Sequence, residues 1–290
     1  MRTGRPSPSA VTRPGVVCPE VASRRTLWGM DASLEQAFAE LVPAAWLDEV
    51  VTRALDEDRG GGDLTSEAAI APDTRARARL RAKGTGRLAG LPVFTRVFEL
   101  CDPSCTVEAL AADGEPVEPG RELLRIEGAA RALLLAERTA LNFVQRLSGV
   151  ATATEALVRA AGGRARILDT RKTTPGLRPL EKYAVRCGGG ENHRFGLFDE
   201  AMIKENHIDL AGGDADSVGR RVREAIEALV PELRELAREL GREVELEASG
   251  GIHAGNLAAY AACGIDRISI GATTHSAPSL DLSLELEPLA

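Results

Sequence analysis

The sequence predicts an α/β protein: a small α+β domain followed by a parallel sheet with helical crossovers. Three observations lead there. From Arg75 to Leu88, Ala and Leu alternate with Arg, the two-residue period of a half-buried strand. After Ala161 the pattern changes to short apolar runs at 166–169, 201–204, 244–247 and 267–270, with helical segments between most of them. Polar and glycine residues stand at the carboxyl ends of these runs: Asp169-Thr-Arg-Lys172, Lys204-Glu-Asn206, Ser249-Gly-Gly251 and Gly271-Ala272. In β/α barrels the chemistry sits at those ends, which favours a barrel over an open doubly wound sheet.

The elements follow in order. Apolar spacing from Leu34 to Leu55 is helical and gives way at Arg59-Gly-Gly-Gly-Asp63. The strands of Arg75 to Leu88 and of Thr106 to Ile126 read as antiparallel, the second stretch with turns at Asp113-Gly114 and Pro119-Gly120. Ala129 to Ala161 is a long helix, with a break expected near Ser148-Gly149. A further helix spans Asn256 to Cys263. Residues 1–29 carry five arginines, four prolines and a single acid, Glu20, without a secretory apolar run. They read as a disordered extension, or as an upstream start ahead of a native start at Met30, and are left out of the fold.

Composition narrows the function. The chain has 290 residues, 44% of them hydrophobic and only 3% aromatic, so Ala, Leu and Val build the core. A net charge of -7 with so few aromatics argues against a nucleic-acid partner. No apolar run approaches the roughly 20 residues of a membrane span. Five cysteines without a CxxC pair read as reduced thiols, which places the protein in the cytoplasm. Cys101 and Cys105 stand four apart with no further ligand nearby, and no metal-ligand set is assigned.

Against this acidic background, Asp169 to His207 concentrates cations. Between Arg171 and Arg194 lie Arg171, Lys172, Arg178, Lys182, Arg186 and Arg194, against Glu181 and Glu191. Only four of the 36 basic residues are lysines, and Lys172, Lys182 and Lys204 all fall here, with His193 and His207. Arginine grips planar carboxylates and phosphates with paired hydrogen bonds, whereas lysine supplies a compact, mobile charge. The segment therefore reads as a site for a multiply anionic small molecule. Arg178, Lys182 and Arg186 fit the outward face of an amphipathic helix equally well. Glycine loops after two successive strands, at Ser249-Gly250-Gly251 and at Gly271, would let backbone amides approach a phosphate.

These residues resemble the quinolinate phosphoribosyltransferase family, the carboxylating nicotinate-nucleotide pyrophosphorylases. The likeness is carried by LDEDRGGGDLTSE at 55–67, AERTALNFVQRLSGVATAT at 136–154, the segment 167–208, LEASGGI at 246–252 and GIDRISIGATTHS at 264–276. The resemblance implies an N-terminal α/β sandwich domain (30–137), an incomplete α/β barrel (138–276) and a C-terminal segment (277–290) packing back on the first domain. It implies transfer of phosphoribosyl from phosphoribosyl pyrophosphate, with Mg2+, to quinolinate, giving nicotinate mononucleotide, pyrophosphate and CO2 in NAD biosynthesis. A homodimer or larger even homo-oligomer is expected. Arg138 (reaching into a neighbouring subunit), Arg171, His193 and Arg194 would grip the quinolinate carboxylates. Lys172 and Lys204 would meet pyrophosphate and ribosyl oxygens as the catalytic cations. Ser249, Gly250, Gly251, Ile270 and Gly271 would line the 5-phosphate pocket, and Thr170 and Ala272 complete the candidate set.

One departure stands out. The family has a glutamate-bearing strand and a strand ending Leu-Asp-Asn between the motifs IKENH and SGG, and these carboxylates serve the ribose and magnesium-pyrophosphate. Ile208 to Arg242 reads instead as two helices meeting at Pro231, so roughly two strand–helix units of about 30 residues each are expected to be absent, leaving an open or contracted barrel. Glu245 and Glu247 remain on one face of their strand, either a candidate replacement. A catalytically impaired relative, or the paralogue associated with molybdenum transport, are the alternatives; the set Arg171, His193 and Arg194 favours quinolinate over the paralogue's substrate.

Overall fold

The computed structural model describes residues 34–199 and 245–289. The extension at 1–29, the strand expected at 201–204 with Lys204, and the helices expected between 208 and 240 lie outside them.

The helix expected over Leu34–Leu55 is two helices, α1 (Leu34–Leu41) and α2 (Ala44–Arg59). Pro43 divides them: it has no N–H to extend α1, and its extended backbone (φ -59°, ψ 133°) makes it the N-cap of α2. Asp63 caps α3 (Leu64–Ala69), accepting the Ser66 N–H at 3.0 Å.

Strand β1 (Arg75–Ala82) keeps its alternation, with Ala76, Ala78, Leu80 and Ala82 buried and the arginines between them turned outward. After the short β2 (Gly86–Arg87) comes α4 (Leu91–Cys101), a helix beyond those expected, with Gly90 before it and Leu91, Phe94 and Phe98 on one face. Strands β3 (Thr106–Ala109), β4 (Pro116–Val117) and β5 (Glu122–Ala129) follow. The main antiparallel sheet has the order β3-β5-β1-β9, where β9 (Leu282–Pro288) is the last described strand and pairs with β1 from Ala76 to Ala82. Its buried face packs on α2, α4 and the start of α5.

Helix α5 (Ala130–Ala161) is 32 residues long, about 48 Å at 1.5 Å per residue. It is continuous through Ser148-Gly149, where a break was expected. The Ser148 hydroxyl bonds both backbone groups of Ala89, and a Cβ on Gly149 would fall 2.1 Å from the Pro278 carbonyl oxygen. These small residues mark close packing, not an interruption. The first five turns of α5 belong to the sheet's core, whereas Leu157 and Ala161 belong to a second core.

That second core lies under a parallel sheet, order β6-β8-β7, made of β6 (Arg166–Leu168), β7 (Glu247–Ser249) and β8 (Arg267–Ser269). An isolated parallel bridge joins Leu168 to Glu191. Strand β7 starts three residues later than the expected 244. The reason is that the Leu246 N–H is taken by the Asp266 carboxylate at 2.8 Å and its carbonyl by the amides of Asp266 and Arg267. Helices α6 (Arg178–Cys187), α7 (Leu257–Ala262) and α8 (Ala272–His275) complete the described elements.

The Gly149 contact reverses the sign of an otherwise stabilising substitution. Alanine gains about 1 kcal/mol over glycine inside a helix, but overpacking against backbone costs about 1–3 kcal/mol. With contact this short, Gly149→Ala is expected to destabilise by roughly 1–2 kcal/mol and lower the thermal midpoint by about 2–8 °C. A midpoint equal to or above the parent's would contradict the packing of α5 on residues 278–279.

Candidate active site

Register places the site. Leu168, Ser269 and Ser249 are paired across β6, β8 and β7, so the segments that follow them leave the sheet side by side at its carboxyl end. Residues 169–172, 270–272 and 249–251 are thereby brought together. The bridge from Leu168 to Glu191 adds 192–194 to the same end.

The anchor of this cluster is Asp169, fully buried. Its oxygens accept the Lys182 ammonium at 2.6 Å, the Asn192 side-chain amide at 2.8 Å and the His193 backbone N–H at 2.9 Å. Lys182, equally buried, also donates to the His193 carbonyl at 2.8 Å. Burial pushes the Asp169 carboxyl up and the Lys182 ammonium down, each opposed by its partner's charge. Every described contact of the Asp169 carboxylate is one it accepts, which is what the ionised group offers.

Helix α6 turns its charges inward, so the outward amphipathic face is corrected for two of its three cations. Lys182 is buried, and Arg178 is half-buried, donating to the Thr173 hydroxyl and to the carbonyls of Phe195 and Arg171 at 3.0, 3.0 and 3.2 Å. The fully buried Glu181 accepts the Thr174 amide and hydroxyl at 3.0 and 2.7 Å and pairs with Arg146 of α5. Nothing in hydrophobic periodicity distinguishes an inward charge from an outward one. The presence of a lysine in an arginine-rich chain was the available signal.

His193 and Arg194 are buried beside this network. The His193 ring accepts the Arg194 N–H at Nδ1 (2.7 Å), so Nε2 faces Glu247 Oε1 at 3.2 Å as donor. Burial pushes the Glu247 carboxyl up, but the hydrogen bonds from His193 and the Ser269 hydroxyl and the charge of Arg267 outweigh it, leaving it below the usual range. Glu245 precedes β7 and pairs with Arg166 and Arg267, which start β6 and β8 at the opposite end of the sheet.

On the other side of the cluster, Lys172 and Ser249-Gly250-Gly251 are exposed, and Arg171 and Thr170 are half-buried. Gly250 and Gly251 have φ of 101° and 65°, backbone that side chains avoid. A Cβ on Gly271 would fall 2.8 Å from Lys172 Cδ and 3.0 Å from His275 Cδ2. His275, absent from the candidate residues, thus flanks the same loop as Lys172. The Thr274 hydroxyl donates to the Lys172 carbonyl at 2.7 Å. The Ile270 side chain belongs to the core and its amide is used by the Leu168 carbonyl at 2.9 Å. Arg138 is exposed on α5 and takes no part in the cluster. Lys204 lies outside the described residues.

A depression of about 490 Å³ lies elsewhere, on the outer face of the antiparallel sheet. Its arginines Arg77, Arg79 and Arg125 are already paired with Glu127, Glu287, Glu122 and Glu108, so it offers no net cationic grip. Among the described residues no group of three or more His, Cys, Asp and Glu side chains gathers to hold a metal. No described helix is long and apolar enough to cross a membrane.

Comparison with known proteins matches both halves. Residues 63–148 fit the family described as quinolinate phosphoribosyl transferase, N-terminal domain, and residues 150–234 and 224–285 fit its C-terminal domain. The chain belongs to the quinolinate phosphoribosyltransferase family. It is 39% identical to a probable carboxylating nicotinate-nucleotide pyrophosphorylase of Bacillus subtilis, over 83% of this chain and 93% of the relative. The corresponding Mycobacterium leprae protein is 39% identical over 82% and 96%. The crystal structure of NadC from Streptococcus pyogenes superposes with a TM-score of 0.74 at 37% identity, over 84% and 97% of the two chains.

These alignments also bear on the expected gap. The Bacillus comparison runs over 270 residues, yet 83% of 290 is about 241, so about 29 positions have no counterpart in this chain. The Mycobacterium comparison leaves about 36, from 274 residues and 82% coverage. The shortfall is nearer one strand–helix unit of about 30 residues than the two expected. The C-terminal family match splits into two pieces that meet at 224–234, inside the segment the sequence reading singled out.

Glu247 supplies a pH test. Its carboxyl lies below its ordinary value of 4.5, so the stability it contributes is full above that value and is lost as pH falls through the lower folded value. Glu247→Gln should lose stability at neutral pH and show a shallower decline than the parent below about pH 4.5. Parallel acid-unfolding curves for the two proteins would remove the His193 contact from the account.

Proposed function

We propose that this chain transfers the phosphoribosyl group of phosphoribosyl pyrophosphate to quinolinate with loss of CO2, forming nicotinate mononucleotide and pyrophosphate for NAD biosynthesis. The observation that carries the reading is the convergence of Arg171, Lys172, His193 and Arg194 with the Ser249-Gly-Gly251 and Gly271 loops at one end of a parallel sheet. Arg171, His193 and Arg194 hold the two carboxylates. Lys172, with Thr170 beside it, and Lys204 serve the pyrophosphate and ribosyl oxygens. Ser249, Gly250, Gly251, Gly271 and Ala272 line the 5-phosphate pocket, where Ile270 contributes backbone only.

The pyridine nitrogen attacks the ribosyl carbon as pyrophosphate departs, and the ring becomes cationic. Loss of CO2 from the carbon beside that nitrogen leaves a carbanion which the ring cation stabilises, and protonation completes the product. The protein's share is positioning and neutralisation of anions. Magnesium belongs to the substrate, carried on the donor's phosphate oxygens. We assign residues 30–137 to the N-terminal domain, 138–276 to the barrel domain and 277–290 to a returning segment, consistent with the pairing of β9 on β1. The free thiols Cys101, Cys105, Cys187 and Cys263 agree with a cytoplasmic setting.

The positions missing from the alignments favour a second reading, in which turnover is impaired. Glu245 is held by arginines at the far end of the sheet, and Glu247 is committed to His193. Neither is disposed to serve the magnesium-pyrophosphate, so quinolinate binding should survive better than catalysis. One experiment separates the readings: calorimetric quinolinate affinity, then nicotinate mononucleotide formation with magnesium and donor, beside a full-length relative. Arg194→Ala should weaken quinolinate by tens to thousands of fold, the roughly 2–5 kcal/mol of a truncated charge partner. Binding unchanged by Arg194→Ala would remove it from the site, and turnover equal to the relative's would dismiss impairment.

Arg138, exposed and outside its own cluster, supports a homodimer or larger even assembly in which it reaches a neighbour's site. If the parent is active, mixing Arg138→Ala with Lys172→Ala protein should restore part of the activity, because one hybrid site then holds both groups. A monomer in sedimentation at assay concentration would contradict this.

A further inference from the structure

We propose that the buried Lys182–Asp169 pair is the positioning element that sets the distance between the two halves of the carboxylate grip, Arg171 on one side and His193–Arg194 on the other. This rests on the quinolinate reading of the site. Three charged residues on one face of α6, at spacings of three and four, each fasten a loop that carries a gripping residue. Arg178 binds the carbonyls of Arg171 and Phe195, spanning both loops. Glu181 binds Thr174, at the end of the Arg171 loop. Lys182 and Asp169 together take both backbone groups of His193: the N–H goes to the carboxylate and the C=O to the ammonium. Asn192 is held too, its side-chain NH2 donating to Asp169 at 2.8 Å and to the Lys182 carbonyl at 2.9 Å.

The arrangement is more than a charge tolerated in a core. Asp169 directly precedes the Thr170-Arg171-Lys172 loop, and Lys182 stands on the helix that follows it. The same ion pair therefore fixes the start of one gripping segment and the backbone of the other. Quinolinate presents its carboxylates on adjacent ring carbons, so the spacing of the cations decides whether both are held at once. A lysine suits this place because a compact ammonium on a flexible stem reaches a carboxylate and a carbonyl together inside a closed space.

Neither Lys182 nor Asp169 needs to touch substrate, so the test must read position as well as affinity. Lys182→Met leaves Asp169 charged and unpaired and can fail to fold. The double variant Lys182→Met, Asp169→Asn removes both charges and keeps the volume. In the full-length, ligand-free double variant, the 15N spectrum of the His193 ring, assigned with His193→Gln, should move from the parent's, while His253 and His275 keep theirs. Quinolinate affinity should fall roughly tenfold or more, the scale of a small misplacement of binding groups. Affinity for inorganic phosphate, used as a probe of the 249–251 loop, should stay parental. An unchanged His193 spectrum overturns the inference. So does a quinolinate affinity that stays parental, or one that falls in step with phosphate as general loosening would produce. Should the parent itself bind no quinolinate, the functional reading fails, and the His193 spectrum alone decides this one.

Discussion

Helix α5 is the constraint on which both halves of the molecule depend. Over about 48 Å its first five turns bury Leu133, Ala140, Val144 and Leu147 against the antiparallel sheet, and its last turns bury Leu157 and Ala161 beneath the parallel one. The close approach at Gly149 lets residues 278–279 cross the helix, and from there the chain returns as β9 beside β1. The C-terminal strand therefore belongs to the N-terminal sheet. Arg146, one turn before the crossing, donates to the Thr274 and Ala277 carbonyls and pairs with Glu181. The packing that holds β9 in place thus extends to the helix that braces the site.

Two kinds of charge behave differently here. The arginines of β1 lie on an open sheet face and pair with glutamates of β5 and β9, and such exposed pairs contribute about 0–1 kcal/mol each. Inside α6, Glu181 and Lys182 have left water, and removing one partner of a buried pair costs about 3–5 kcal/mol. A small number of inward charges on a ten-residue helix therefore matters more to the site than the larger lattice on the sheet. Tyr183 adds a third hold on α6: its hydroxyl donates to Asp113 at 2.8 Å, and that carboxylate also accepts the amides of Gly90 and Leu91 where α4 begins.

How far the sequence spoke for the structure can be traced residue by residue. The alternation of β1 was legible because its Arg and Ala differ so strongly in burial. The strand ends of β6 and β8 were legible from chemistry, since Asp169-Thr-Arg-Lys172 and Gly271 interrupt apolar runs. Pro43 was passed over because the helical period continues on both sides of it, although a proline has no N–H to carry α1 onward. Ser148-Gly149 suggested a break because local propensity cannot show what packs against a residue, and here it is the backbone 130 residues further on. The inward face of α6 escaped for a related reason: the partners of Lys182 stand at 169, 192 and 193, brought near only by the sheet. His275 was missed because it stands beyond the glycine loop in a single short turn, and only the approach of both side chains to Gly271 draws it together with Lys172.

The His193 ring shows how the same geometry distributes affinity. Its Nδ1 is committed as acceptor to the Arg194 amide, so the neutral ring has one donor, Nε2, and Glu247 already takes it. A ligand carboxylate at that position exchanges one carboxylate contact for another, and such an exchange is nearly neutral in free energy. It would also lie beside Glu247, a like charge. In the proposed site the favourable part of dicarboxylate binding would then come from Arg171 and Arg194, whose planar forks can engage a carboxylate through two hydrogen bonds each. On that reading His193 would contribute orientation and shape, its tautomer set by the Arg194 amide at Nδ1 and Glu247 at Nε2. In the proposed site the arginines would carry the grip, and the buried charges behind them would determine where it is placed.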